Sequence, residues 1–109
     1  MMRVYNIKPS FSNMAQAFPY LLENLTEKQI ANIVENVDIY ELKDSAESFF
    51  QTEISLEKQR ISMRHSVSGR VFQMQCKQQY VEIDDEKNPF YVFLKRKFRY
   101  IFTCASDFM

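Results

Sequence analysis

Phe90-Tyr-Val-Phe-Leu-Lys-Arg-Lys-Phe-Arg-Tyr-Ile-Phe-Thr103 sorts cleanly with period two. It holds six aromatic rings and four cations, and no acid interrupts it. Taken alternately, Phe90, Val92, Leu94, Phe98, Tyr100 and Phe102 share one side, with Arg96 the only polar break. Lys95, Lys97 and Arg99 share the other side with Tyr91 and Phe93. Successive residues of a strand point to opposite faces, so the pattern predicts a half-buried strand over 90–104.

Working back from it, Asp84-Asp-Glu-Lys-Asn-Pro89 reads as a solvated hairpin loop and 70–83 as the preceding strand. Ser68-Gly69 is the best tight-turn signal in the chain, which holds a single glycine, and it links 70–83 to a strand over 59–67. A two-residue turn there pairs Val67 with Arg70, His65 with Phe72, Met63 with Met74, and Ile61 with Cys76. Centring the next hairpin on Lys87 pairs Phe72 with Phe102, Met74 with Tyr100, Cys76 with Phe98, Gln78 with Arg96, and Tyr80 with Leu94. In this register apolar residues meet apolar residues, and a slip of one residue reverses every face. Cys76 and Cys104 are not opposite one another, so no intrachain disulfide is expected.

The N-terminal half reads as helical. Met2 to Ile7 alternates as a short strand, with Val4 and Met2 inward, at an edge of the sheet. Phe11, Met14, Ala15, Phe18, Leu21, Leu22 and Leu25 recur at helical spacing, broken or kinked at Pro19. Thr26 and Gln29 form a capping box, with Leu25 and Ile30 as its hydrophobic staple, and Ile30, Ile33, Val34 and Val37 give one apolar stripe over helix 27–37. Residues 38–58 stay open: Ile39, Tyr40 and Leu42 suit a short strand or a turn. Ala46, Phe49, Phe50 and Ile54 suit a helix capped by Asp44 or Ser45. The fold class that results is α+β, a single domain of 1–109. Two or three N-terminal helices pack on one face of an antiparallel meander of three to four strands.

The net charge is zero, yet residues 1–57 carry four Lys/Arg against nine Asp/Glu, and residues 58–109 carry ten against five. The chain is a charge dipole in sequence. On the expected sheet its outer face collects Arg60, Arg64, Lys77, Lys95, Lys97 and Arg99, spaced by Gln73, Gln75 and Gln79. That basic, glutamine-rich face is the candidate binding surface. The acidic segment Glu23–Glu57 is a second one, suited to a basic partner. His65 is the only histidine, and the register turns it inward beside Phe72, where it serves the core better than it serves as a base. Asp84, Asp85 and Glu86 lack the alternating ligand spacing of a calcium loop, so no metal and no cofactor are expected. No catalytic residue is assigned.

No signal-peptide pattern and no apolar run of membrane-spanning length stand out, and two cysteines form no framework, so a cytoplasmic protein with no membrane partner is expected. The function expected first is a non-enzymatic interaction protein, of inhibitor, immunity, anti-defence or adaptor type, binding a protein partner through a charged surface. The alternative is a nucleic-acid-binding protein using the basic sheet face. A small ribonuclease toxin using the same cations is the third reading.

Overall fold

In a computed structural model, residues 1–11, 13, 26–65 and 67–105 are described. The expected helix between Phe11 and Leu25, with the Leu25 half of the staple, lies largely outside them. The architecture is α+β, with an antiparallel sheet of six strands and, among the described residues, three α-helices. Strand β1 (Met2–Asn6) leads through a 3-10 turn at Pro9–Phe11 towards helix α1 (Glu27–Ile33) and helix α2 (Ile39–Phe50). Strands β2 (Ser55–Glu57), β3 (Arg60–Arg64), β4 (Val71–Cys76) and β5 (Val81–Ile83) follow, then helix α3 (Pro89–Lys97) and strand β6 (Ile101–Ala105). The sheet order is β2-β3-β4-β5-β1-β6.

The main correction falls on 90–104, because Pro89–Lys97 is a helix and not a strand. Asn88 caps it by accepting from the Phe90 N–H at 2.9 Å, and Pro89 takes the first turn, where a missing N–H costs nothing. Lys95, Arg96 and Lys97 occupy its last turn, where cations complement the helix dipole. Phe90, Phe93 and Leu94 are buried at helical spacing, whereas Val92, expected inward, is 48% exposed. Only β6 of the expected 90–104 strand remains. It pairs with β1, Tyr5 opposite Phe102, so the expected pairing of this stretch with 70–83 does not form.

The expected strand 70–83 is itself two strands, folded back at Lys77–Tyr80, where the Lys77 N–H donates to the Tyr80 carbonyl at 2.9 Å. Between β3 and β4 the faces are as read but the register differs by two: Ile61 lies opposite Met74 and Met63 opposite Phe72. The cause is a longer turn. The His65 N–H donates to the Arg70 carbonyl and the Gly69 N–H to the His65 carbonyl, and Gly69 (φ +74°) supplies the left-handed residue. His65 is exposed and not a core residue. Its Nδ1 accepts from the N–H groups of Val67 (3.3 Å) and Ser68 (3.2 Å).

The capping box at Thr26 and Gln29 forms as read, but α1 stops at Ile33. Val34 turns away to bridge Ile7, and the Val37 N–H donates to the Gln78 carbonyl, so neither extends a helical stripe. Helix α2 starts earlier than Asp44 or Ser45: Asp38 is its cap, accepting from Tyr40 and Glu41 at 3.2 Å each.

The helices do not share one face, nor are all of them N-terminal. One core joins Val4, Ile61, Met63, Met74, Cys76, Val81 and Ile83 to Leu42 and Ala46 of α2 and to Phe90, Phe93, Leu94 and Phe98 around α3. A second core, on the opposite face, joins Tyr5, Ile7, Ile33 and Val34, with Ile30, Tyr80, Tyr100, Phe102 and Cys104 packed against it. Strand β1 is therefore interior and feeds both cores from consecutive residues, Val4 and Tyr5. Cys76 and Cys104 fall in different cores and neither is in a disulfide. Burial pushes the Cys76 thiol up to about 12, which leaves it an unreactive core residue.

Candidate interaction surface

Among the described residues, the second core covers the β1 and β6 end of its face. Where β2, β3 and β4 continue that face, the residues that alternate with the first core point to solvent: Ser55 and Glu57, then Arg60, Ser62 and Arg64, then Val71, Gln73 and Gln75. The strand registers align one residue from every strand into a row across the sheet. Glu57 lies opposite Arg60, Arg60 opposite Gln75, Gln75 opposite Glu82, Glu82 opposite Arg3, and Arg3 opposite Cys104. Acid and base alternate along it, the arrangement in which neighbouring charges attract.

Several of these side chains are held in place. Arg60 Nε donates to Gln75 Oε1 at 3.4 Å, and Gln75 Nε2 reaches the Lys58 and Gln59 carbonyls at 3.4 Å each. Lys58 (φ 51°) and Gln59 (φ 64°) form the two-residue turn from β2 to β3, with both residues left-handed. That geometry suits Asn-Gly, and two long side chains adopt it under strain. Arg64 Nη1 donates to the Gly69 carbonyl at 3.0 Å.

Next to this row β4 and β5 separate after Gln75 and Glu82, leaving a groove of about 360 Å³ lined by Arg60, Gln73, Gln75, Glu82 and Asp84. Asn88 closes its inner end. Its Nδ2 donates to the Gln73 carbonyl and to Asp84 Oδ1, both at 3.0 Å, and it is the one buried polar side chain among the described residues. Partial burial pushes the Asp84 carboxyl up, but the hydrogen bonds from Asn88 and the Asp85 N–H outweigh it and hold it below its ordinary value.

Of the residues expected to share a basic face, Arg60, Arg64, Gln73 and Gln75 do share one. Lys77 and Gln79 sit in the β4–β5 turn at its margin. Lys95 and Lys97 do not join them, because α3 packs on the other face of the sheet, and Arg99 lies in the link from α3 to β6. Lys97 pairs with Glu41 of α2, Lys95 lies 4.8 Å from the Tyr91 ring centre, and Arg99 lies 5.5 Å from that of Tyr100. The expected register sets Lys77 opposite Lys97, and this pairing does not form because Lys97 lies in α3. Glu57, assigned from sequence to the acidic segment, joins this face, and Glu82 and Arg3 are the residues the sequence reading missed. Arg3 was findable: Val4, Tyr5 and Ile7 crowd apolar residues onto both faces of one strand, which marks it as interior and carries Arg3 to the middle of the sheet.

Among the described residues no helix is long and apolar enough to cross a membrane, and no group of three or more His, Cys, Asp or Glu is placed to hold a metal ion. No protein-family model matches the chain, and no curated protein matches its sequence.

Proposed function

We propose that this chain is a non-enzymatic interaction protein, of inhibitor, immunity, anti-defence or adaptor type, and that it docks a protein partner on the open β2–β3–β4 face. The row Glu57–Arg60–Gln75–Glu82–Arg3 carries the reading. Its alternating charges suit a protein surface of complementary pattern, whereas a polyphosphate backbone favours cations unbroken by acids. The placement of Lys95 and Lys97 on the other side of the sheet supports a protein over a nucleic acid as partner. Side chains already fixed by hydrogen bonds also lose less freedom on docking.

The test is affinity capture from host lysate with and without nuclease. A single protein that persists through nuclease, and is lost with Arg60→Glu/Arg64→Glu, is the expected result. Recovery of nucleic acid alone rejects the proposal in favour of the nucleic-acid-binding alternative.

A further inference from the structure

At the margin of the open face, where α1 meets the β4–β5 turn, lies a separate pocket of about 220 Å³. Arg3 and Lys77 bring two cations to it, and Tyr5, Tyr80, Gln78 and Gln79 bring hydroxyl and amide groups. Ile30 supplies an apolar wall, and no carboxylate among the described residues lines the pocket. Its parts are fixed from three directions. The Lys77 N–H donates to the Tyr80 carbonyl at 2.9 Å, the Val37 N–H holds the Gln78 carbonyl at 2.8 Å, and β1 pairs Arg3 with Glu82.

Arg3 is the telling group. Its guanidinium lies 4.6 Å from the Tyr80 ring centre, and its buried Nε has no hydrogen-bond partner. Glu82 Oε2, at 3.9 Å, is too far to serve as one. That Nε is sealed from solvent, so a ligand in the pocket meets the guanidinium through its Nη groups. The aromatic faces are already taken, since Tyr5 and Tyr80 lie 5.4 Å apart and Arg3 covers Tyr80. A stacked base or planar ring therefore finds little to bind, and a compact group with several acceptor oxygens fits best. We infer that this pocket binds a phosphate group, with Arg3 supplying a directional guanidinium and Lys77 a mobile point charge. The pocket shares Arg3 with the charged row, but the capture experiment varies Arg60 and Arg64, and neither of these lines the pocket.

The experiment is an amide-resolved NMR titration of the full chain with inorganic phosphate, and separately with a phosphoserine-bearing peptide, against chloride at matched ionic strength. Saturable shifts confined to Arg3, Tyr5 and residues 77–80 are expected. Lys77→Glu should weaken binding at least about tenfold while Lys77→Arg largely retains it. Lys77 is exposed, so its replacement leaves the fold intact, and Arg3→Lys provides a second variant that keeps the charge but loses the planar fork. Tighter binding of the peptide identifies a phosphorylated side chain as the source, and equal binding identifies free phosphate. Shifts that only follow ionic strength, or Lys77→Glu binding like the unmodified chain, overturn the inference and leave the capture experiment untouched.

Discussion

The two ends of the sheet differ in what lies over them. At the β1 and β6 end, Val4 is 0% and Tyr5 3% exposed, although consecutive strand residues face opposite ways. At the β3 end, Ile61 is 0% exposed while Arg60, its neighbour in sequence, is exposed. Among the described residues, one end is sandwiched between α1 and the α2–α3 layer, and the other is covered once. The chain alternates through β3 and β4, with Arg60, Ser62, Arg64, Gln73 and Gln75 at uncovered positions and Val71 the one apolar residue among them, and abandons alternation in β1, where both faces are buried.

Breaking the shared core should cost most. Phe90 is fully buried, with its ring edge-on to Phe50 at 5.4 Å, and Phe90→Ala should destabilise by about 3–5 kcal/mol in chemical denaturation. A loss below about 1 kcal/mol would show that α3 does not anchor the first core. Next comes the junction between the two ends. Asn88→Ala removes the α3 cap and leaves the Gln73 carbonyl and Asp84 without their buried donor, a cost of about 2–3 kcal/mol. Asn88→Ser, which can still cap, should recover about 1 kcal/mol of it.

The strained turn beside the open face should respond in the opposite direction. Replacing Lys58-Gln59 with Asn-Gly relieves two left-handed non-glycine residues and should stabilise by about 1–2 kcal/mol, read as a higher denaturation midpoint. An unchanged or lower midpoint would mean that the two left-handed residues store no strain that Asn-Gly relieves. Smallest of all, Arg60→Ala and Arg64→Ala should each change stability by less than about 0.5 kcal/mol. A larger loss at either would assign these arginines to the fold and remove them from the docking surface.

How far the chain could be read depended on spacing. Phe90, Leu94 and Phe98 are four residues apart, and four is two full repeats of a strand and close to one turn of a helix, so they satisfy both readings. Only Val92 and Phe93 distinguish the two, and both follow the helix: Val92 is exposed and Phe93 is 3% exposed. The Asn88-Pro89 pair, a cap followed by a first-turn proline, was the local signal that settles the matter. The β3–β4 faces survived a register that differs by two, because an even slip conserves the face of every side chain. The candidate surface was legible as Arg60, Arg64, Gln73 and Gln75, which lie on adjacent strands of one hairpin. Glu57 was read with the acidic segment because the Lys58-Gln59 turn beside Arg60 carries no glycine signal, Glu82 was hidden because 70–83 reads as one unbroken strand, and Arg3 comes from a strand distant in sequence.

The sequence by itself determined the local devices: the Thr26–Gln29 capping box, the Gly69 turn, and the alternation that turns Arg60 and Arg64 away from Ile61 and Met63. Those depend on contacts within a few residues and on the two faces of a single strand. Only the tertiary structure decided that Lys95 and Lys97 leave the basic face, that β1 enters the sheet between β5 and β6, and that a continuous basic patch becomes a row of alternating charge. A helix and a strand can bury the same apolar residues at intervals of four. The choice between them is made where the whole set of side chains, Phe93 inward and Val92 outward, fits against the other layer.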